Sequence, residues 1–392
     1  MAKIKVRPED FVVEELIKLS LVKKGSYTIL KLEKRLWNTL DVIEFIARTI
    51  HAPKRLFARA GLKDRYSLST QYLSFKGNLK HTIKEKNFTV KPIGKSNTPV
   101  NPKMLLGNYF CITLRNLTEK EVDKLDRNPK EIERYGFPNY FDEQRFGSAR
   151  HGQGFIAKKL IFEHYGGALK LLMCYAHKED SAREKKFKAY CLSHWRDWYG
   201  CLEIAPPFYR PILNYLIEHP KDFKNALKQI DKEFLNIYLL AYQSFLFNEV
   251  LFRIVKAYGQ NNVPVKYSMG ELLFYHELPQ VDSLRELHIP MINEKTNLAG
   301  HVGQIIGNVL KKEGNMQKSM ALQKMRLRGV RFKPFERDTI VYPKGFELTQ
   351  LQPDEIYEKK YRCTLKCILP PGTYATILIK RLLLGSDLEI RN

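Results

Sequence analysis

SYTILKLEKRLWNTLDVIEFIARTI, residues 26–50, contains two different hydrophobic periods in succession. In residues 26–32, Tyr27 and Ile29 alternate with residues that are also largely apolar, which predicts a strand covered on both faces. Asn38 and Thr39 then supply an N-cap, and apolar residues recur after them at helical spacing, at Ile43, Ile46, Ala47 and Ile50. The stretch therefore predicts a strand followed by a helix whose apolar stripe lies on a sheet.

Two more segments with strand-like alternation follow in the first 160 residues. They are TQYLSF (70–75) and FCITLR (110–115), bounded by Gly77 and by Gly107-Asn108. Glycine and asparagine at these places are typical of strand ends. Strands joined by helices and long connections indicate an α+β domain built around a mixed sheet.

The hydrophobic pattern changes from strand-like to helical near residue 166 and becomes strand-like again near residue 342. LNIYLLAYQSFLFNEVLFRIVKAY (235–258) keeps a helical period with bulky apolar residues and predicts a core helix. YRCTLKCILPPGTYATILIKRLLL (361–384) returns to β-branched alternation, followed by a Pro-Pro-Gly turn and more apolar sequence. We therefore expect an α-rich insert, at residues 165–340, within an α+β domain made of residues 1–164 and 341–392.

The chain is strongly basic, with 66 Lys and Arg against 42 Asp and Glu and a net charge of +24. A surplus of positive charge of this size favours a polyanionic partner. The alternative explanation is that the proteins of the source organism are basic in general. Residues 311–337 alone carry nine cations and two carboxylates. With 12% aromatic residues available to stack on bases, this mixture suits RNA better than a membrane surface.

Several function classes have no support in the sequence. No apolar run approaches the length of a membrane helix, and the charged N-terminus lacks the apolar region of a signal peptide, so we expect a cytoplasmic protein without a membrane partner. The six cysteines and ten histidines show no metal-ligand spacing and no disulfide framework. Cys363 and Cys367 are predicted to be small buried hydrophobes. The GxxxxGK[ST] motif of phosphate-binding loops is missing too.

AGLKDRYSLSTQ, residues 60–71, places Asp64 between two cations. In an extended segment neighbouring side chains point to opposite faces, so Lys63 and Arg65 point away from the side to which Asp64 points. If Asp64 faces a cleft as an ionised nucleophile, its neutralising cation must come from elsewhere in the chain. Spacing alone also fits a solvated carboxylate in a turn.

FPNYFDEQRFG, residues 137–147, is a second dense stretch. Its aromatic residues stand beside Asn139, Gln144 and Arg145, a set that could stack on a base, read its edge and hold a phosphate. A connection packed by aromatic side chains explains the same composition equally well.

Together these stretches resemble a known family over residues 3 to about 385. RPEDFVVEEL, NTLDVIEFIA, AGLKDRYSLSTQYLS, LLGNYFCITLRN, FPNYFDEQRFG, AYQSFLFNEVL and LPPGTYATILIKRL occur in the order found in TruD-type tRNA pseudouridine synthases. The resemblance implies a mixed, largely antiparallel catalytic sheet of the pseudouridine synthase type, with an inserted α-rich α+β domain. It also implies isomerisation of uridine 13 of tRNA with no cofactor.

The resemblance assigns roles to particular residues. The nucleophilic aspartate falls on Asp64, and the family lysine falls on Lys5, which would be the distant cation that Asp64 requires. The substrate-contacting residues fall on Phe11, Asn139, Phe141 and Tyr374. Arg145, Lys324, Arg326, Arg328 and Arg331 are candidates for contacts with the RNA backbone.

The sequence departs from the family pattern at a few positions. Asp142 stands where a glycine is usual, and Ser67 and Ser69 replace the usual Ala and Thr. A residue other than glycine restricts the backbone at position 142.

Two other functions are compatible with the charge. One is a non-catalytic protein that binds or folds tRNA, and the other is a DNA-binding regulator, although no helix-turn-helix is recognisable. The sequence specifies no protein partner and leaves the oligomeric state open.

Overall fold

The computed structural model describes residues 1–149, 152–177, 180–325, 327 and 329–390. Its strands are, in chain order, β1 Ala2–Ile4, β2 Phe11–Ile17, β3 Tyr27–Arg35, β4 Phe57–Arg59, β5 Leu68–Lys76, β6 Ile83–Glu85, β7 Phe88–Ser96, β8 Leu105–Leu117, β9 Phe137–Pro138, β10 Val263–Tyr267, β11 Gly270–Phe274, β12 His288–Pro290, β13 Glu336–Asp338, β14 Ile340–Val341, β15 Lys344–Leu348, β16 Gln352–Pro353, β17 Tyr361–Leu369 and β18 Leu388–Ile390.

The α-helices among the same residues are α1 Thr39–Thr49, α2 Glu119–Tyr135, α3 Ile156–Ile161, α4 Tyr165–Met173, α5 Ala182–Ser193, α6 Trp198–Ile204, α7 Arg210–Glu218, α8 Phe223–Leu227, α9 Lys232–Tyr258, α10 Val281–Arg285, α11 Gly300–Lys312 and α12 Ala375–Leu382. In the part of the chain that the structure describes, none of these helices has both the length and the apolar character needed to cross a membrane.

The chain divides into two compact units. The first contains Met1–Phe137 and Val341–Asn392, and the second contains Pro138–Ile340. The boundary expected after residue 340 coincides with the end of the second unit, whereas the boundary expected after residue 164 lies inside it. The chain thus leaves the first unit once and returns to it, as an inserted segment must.

The first unit is built on one large sheet. Eight strands lie in the order β15-β17-β8-β2-β5-β3-β7-β6, with β1, β4, β16 and β18 attached beside them. Strand β2 pairs with β5 in parallel and β1 pairs with β18 in parallel, while the other pairings described for this sheet are antiparallel. The sheet is therefore mixed and largely antiparallel, as predicted.

The stretch at residues 26–50 folds as its two periods indicate. Strand β3 is followed by helix α1, and the helix begins directly after Asn38. Its apolar stripe packs on the sheet in one core cluster, whose buried members are Leu30, Leu32, Val42, Ile43, Ile46, Ala47, Phe57, Leu73, Phe75, Phe88 and Val90. Burial of such side chains contributes roughly 1.5–3 kcal/mol each, so this cluster fixes the helix against the strands that carry the candidate site.

The second unit is mainly helical. Helix α9 runs through the segment predicted as a core helix, and its 13 buried residues, out of 27, lie on several faces of the helix. It contacts α3, α11 and the strand β11. Two small antiparallel pairs, β10 with β11 and β12 with β13, complete the described part of the unit. This composition agrees with the predicted α-rich α+β insert.

The C-terminal segment returns to the large sheet through β17. Cys363 and Cys367 on this strand are buried, as predicted for small hydrophobes. After the Pro-Pro-Gly turn the chain forms helix α12, despite its β-branched residues, because its apolar side chains are buried along nearly the whole helix. Tertiary burial outweighs the small cost of β-branched residues in a helix.

Candidate active site

Asp64 lies on the loop between β4 and β5, and its side chain is 35% exposed. The loop is tied down at its neighbours: the Ser67 hydroxyl donates to the Asp64 carbonyl at 2.9 Å, and the Lys63 N–H donates to the Thr39 hydroxyl of α1 at 3.3 Å. A carboxylate that is partly exposed on an anchored loop can be reached by a substrate and keeps its position.

Lys5 supplies the remote cation. Its Nζ lies 2.5 Å from Asp64 Oδ2, although the two residues are 59 positions apart, and its side chain is only 1% exposed. The lysine backbone adopts φ 58, in the left-handed region that residues other than glycine rarely occupy. Strain of this kind costs of order 1–3 kcal/mol and persists where the surroundings fix it. A buried ammonium at this distance favours the ionised carboxylate.

The two cations that flank Asp64 in sequence bind elsewhere. Lys63 Nζ lies 3.0 Å from Glu15 Oε1 and donates to Asn108 Oδ1 at 2.7 Å, within the sheet. Arg65 Nε donates to the Leu36 carbonyl at 3.3 Å. The ion pair of Asp64 with Lys5 thus joins two residues distant in sequence, while Lys63 and Arg65 bind other groups.

Phe11 lies beside this ion pair. Lys5 Nζ is 4.5 Å from the centre of the Phe11 ring, and the ring makes an edge contact with Phe110 at 6.0 Å. Phe11 begins β2, and the preceding Asp10 is held by buried Arg115 at 2.8 Å. The structure thus brings Asp64, Lys5 and Phe11 together. At 5% exposure Phe11 offers little open ring surface.

Tyr374 belongs to the same unit. It is the N-cap residue of α12, is half-buried, and its carbonyl accepts the N–H of Ile377 at 3.1 Å. Tyr374 follows the turn after β17, and this hydrogen bond ties its main chain to the first turn of α12.

Asn139 belongs to the second unit and is 5% exposed. Both ends of its amide are held: Nδ2 donates to the Asp338 carbonyl at 3.0 Å, and Oδ1 accepts from Arg337 Nη2 at 2.9 Å. Its main-chain N–H donates to the Thr339 carbonyl at 3.0 Å. These bonds fix the orientation of the side chain.

Phe141 is also buried, at 3% exposure. Its N–H and carbonyl are both bound by the side-chain amide of Asn248, each at 2.9 Å. The guanidinium of Arg337 lies 4.0 Å from the ring centre, and Arg145 lies 5.6 Å away. Cation–π contacts of this kind contribute about 0.5–2 kcal/mol.

Asp142, at the usual glycine position, adopts φ −101 and ψ 174. This is ordinary extended backbone, so an aspartate fits here without strain. The loop therefore does not depend on the freedom of a glycine at this place.

The predicted backbone-binding cations differ in their surroundings. Arg331 is exposed, and Lys324 is exposed but pairs with Glu163 at 2.7 Å. Arg145 is half-buried against Phe141, and Arg326 and Arg328 lie outside the described residues. Within residues 311–337, the exposed described cations are Lys311, Lys312, Lys318, Lys324, Arg331 and Lys333.

Two residues near these sites were not singled out from the sequence. Arg337 was counted only as part of the basic stretch, yet it binds Asn139 and covers Phe141. Lys34 is buried, and its Nζ donates to the Asp64 carbonyl at 2.7 Å. A signal for Lys34 was present, because it occupies the same strand face as the apolar Leu30 and Leu32.

Lys34 has an altered proton affinity. Burial lowers its pKa from 10.5 to about 8, while the nearby Asp64 carboxylate raises it and the Lys63 ammonium lowers it further. The protein therefore holds a second ammonium group under the Asp64 loop at an electrostatic cost.

Among the residues that the structure describes, no cluster of three or more His, Cys, Asp or Glu side chains has an arrangement that could hold a metal ion.

Comparison with known proteins gives a consistent result over nearly the whole chain. The family model described as "tRNA pseudouridine synthase D (TruD)" matches residues 1–382. "Probable tRNA pseudouridine synthase D 2" of Methanocaldococcus jannaschii is 33% identical, over 98% of this chain and 92% of the relative. "tRNA pseudouridine synthase D" of Aquifex aeolicus is 30% identical, over 97% of each chain.

A solved structure shares the fold. It comes from Methanosarcina mazei, is described as that of a candidate tRNA pseudouridine synthase D (TruD), and superposes with a TM-score of 0.68 at 22% identity. The alignment covers 97% of this chain and 93% of that one. The likeness confirms the predicted fold class.

Proposed function

Because this chain belongs to the tRNA pseudouridine synthase D (TruD) family, we propose that it converts uridine 13 of tRNA to pseudouridine with Asp64 as the nucleophile. The observation that carries this proposal is the ion pair between Asp64 and Lys5. A partly exposed carboxylate held by a buried ammonium has the charge and the access that a nucleophile toward ribose needs.

The reaction is an isomerisation, so the chain need supply no oxidant, reductant or group donor. The C–N glycosidic bond of the uridine breaks, the base turns, and C5 of the base forms a C–C bond with C1′ of the ribose. C5 then loses its proton and N1 gains one, so no atom is added to or removed from the nucleoside. An ionised Asp64 serves either route, whether it adds to C1′ of the ribose or assists a glycal-type elimination. Lys5 keeps that carboxylate charged and oriented before the substrate arrives.

The target uridine must leave its stack, at a cost of a few kcal/mol. Stacking on an aromatic ring recovers roughly 1–3 kcal/mol per base. We assign this role to the family positions Phe11, Phe141 and Tyr374, and we assign reading of the uracil edge to Asn139. Phe11, Asn139 and Phe141 are buried in the structure, so these contacts require local opening of the packing around their side chains.

Binding of the tRNA backbone is assigned to the exposed cations of residues 311–337. Neutralising phosphates releases counterions, so affinity should fall steeply as salt rises. The same cations favour a second candidate function, a protein that binds or folds tRNA without chemistry. A cytoplasmic location, where tRNA is available, belongs to either proposal.

The test uses an unmodified tRNA transcript and carbodiimide mapping of pseudouridine. The wild-type protein should modify uridine 13, and a transcript with cytidine at that position should remain unmodified. Asp64→Asn keeps the side-chain size but removes the charge, so it should abolish product while tRNA still binds. Asp41→Asn, on the exposed side of α1, is the matched control and should stay active. Binding without product by the wild type would favour the non-catalytic candidate.

A further inference from the structure

Lys34 is a cation on the apolar face of β3. Its side chain is 1% exposed, and its neighbours on that face, Leu30 and Leu32, are both 0% exposed. Lys31 and Glu33 occupy the opposite face, where they pair with each other at 2.6 Å. The hydrogen bonds of Lys34 Nζ go to main-chain carbonyls, and no carboxylate of the described residues forms an ion pair with it. Burying an ammonium group in this way is costly.

The contacts of Lys34 converge on the residue proposed as nucleophile. Its Nζ donates to the Asp64 carbonyl at 2.7 Å and lies 3.4 Å from the Lys63 carbonyl. The Ser67 hydroxyl donates to the same Asp64 carbonyl at 2.9 Å, so this oxygen has two donors. A hydrogen bond from a charged donor is about twice as strong as one between neutral groups.

Asp64 is therefore held at both ends by buried lysines. Lys5 binds its carboxylate, and Lys34 binds its main-chain carbonyl. A leucine at position 34 would match Leu30 and Leu32 on the same face and would avoid the desolvation of a charge. That desolvation is large enough to lower the pKa of Lys34 to about 8. In the part of the chain that the structure describes, Lys34 Nζ hydrogen-bonds only to the carbonyls of Lys63 and Asp64, so the position gives up core stability for contacts with the Asp64 loop.

We propose that Lys34 is a positioning residue for Asp64: its ammonium fixes the peptide that presents the carboxylate to the ribose. This inference rests on the proposed function. It extends the site beyond the residues to which the resemblance assigns roles, because it gives a role to the main chain of Asp64 and to Lys34, a buried strand residue. Displacing a catalytic group by about 1 Å can lower a rate about a hundredfold, so a small rotation of this peptide is enough to matter.

The test compares Lys34→Met with Lys31→Met, which removes a lysine from the exposed face of the same strand. Single-turnover rates are measured at saturating tRNA, together with tRNA affinity and the urea midpoint at pH 7. Lys34→Met should lower the rate by about tenfold or more and leave affinity within about threefold. Its urea midpoint should not fall below that of the wild type, since a buried charge is removed. Lys31→Met should change neither the rate nor the affinity.

A purely structural role would give a different pattern, in which stability and rate fall together. If Lys34→Met does not accumulate as folded protein, Lys34→Gln, which keeps neutral N–H donors, provides the same comparison. The inference is overturned if the rate stays within twofold of wild type while Asp64→Asn is inactive. It is also overturned if both Lys34 variants lose rate only in proportion to lost stability. Retained activity of Asp64→Asn would instead refute the proposed function.

Discussion

The buried ammonium of Lys34 predicts an unusual dependence of stability on pH. Its pKa is lowered from 10.5 to about 8 in the folded protein, mainly by burial. Below pH 8 both the folded and the unfolded chain carry the proton, and the folded state bears the full cost of the buried charge. Between pH 8 and 10.5 the folded state has released the proton while the unfolded state still holds it. The contribution of Lys34 to the free energy of unfolding therefore rises with pH across this window.

The magnitude follows from the same two values. At about 1.4 kcal/mol per pH unit, a pKa lowered from 10.5 to about 8 corresponds to roughly 3 kcal/mol. The free energy of unfolding of the wild type, minus that of Lys34→Met, should rise by roughly 2–3 kcal/mol between pH 7 and 10. Taking the difference cancels the titration of the other groups. Lys31→Met serves as control, because the hydrogen bond of Lys31 to Glu33 raises its pKa instead of lowering it, so its removal should not produce the same rise with pH.

Urea unfolding followed by the fluorescence of Trp37 measures the free energy of unfolding of the first unit, which contains Lys34. Trp37 packs edge-on against Phe45 and Phe88 in the first unit, whereas Trp195 and Trp198 belong to the second. All proteins in the series would carry Trp195→Phe and Trp198→Phe, which leaves one reporter. A difference that stays constant within about 0.5 kcal/mol, or that falls as pH rises, would refute the reasoning about Lys34.

Two further predictions address the carboxylate and the RNA. Lys5→Met should lower the single-turnover rate more than tRNA affinity, because it removes the cation at 2.5 Å from Asp64, while Lys3→Met, two residues away, should leave both unchanged. Equal losses in rate and affinity would make Lys5 a phosphate contact. Arg331→Ala and Lys333→Ala should each reduce the slope of log affinity against log salt by about one, and Arg331→Lys should not. An unchanged slope in both Ala variants would remove these residues from the RNA surface.

Much of the first unit could be predicted because local periods determine which side chains are buried. The strand and helix at residues 26–50 follow from alternation, an N-cap and an apolar stripe, and they occur as β3 and α1. Alternation also showed that Lys63 and Arg65 could not serve an inward-facing Asp64. The parallel pairing of β2 with β5 could not be predicted, because a period fixes the faces of a strand but not its neighbours.

For the candidate site, the sequence indicated several of the residues but not the contacts between them. The charge argument required a distant cation for Asp64, and the family resemblance pointed to Lys5, but only the folded chain shows the contact between them. Arg337 could not be assigned to Asn139 from the sequence, since the two residues meet through tertiary structure across 198 positions. Lys34 is the opposite case. Its place on an apolar strand face was visible in the sequence, although the carbonyl that it binds was not.

The proposed reaction depends on the Asp64 carboxylate. The most direct measurement is pseudouridine formation at position 13 of an unmodified tRNA transcript, with wild-type protein and Asp64→Asn compared at tRNA concentrations that saturate both. We expect quantitative product with the wild type and none with Asp64→Asn, at similar tRNA affinity. Product from Asp64→Asn at a rate comparable to that of the wild type would contradict this expectation.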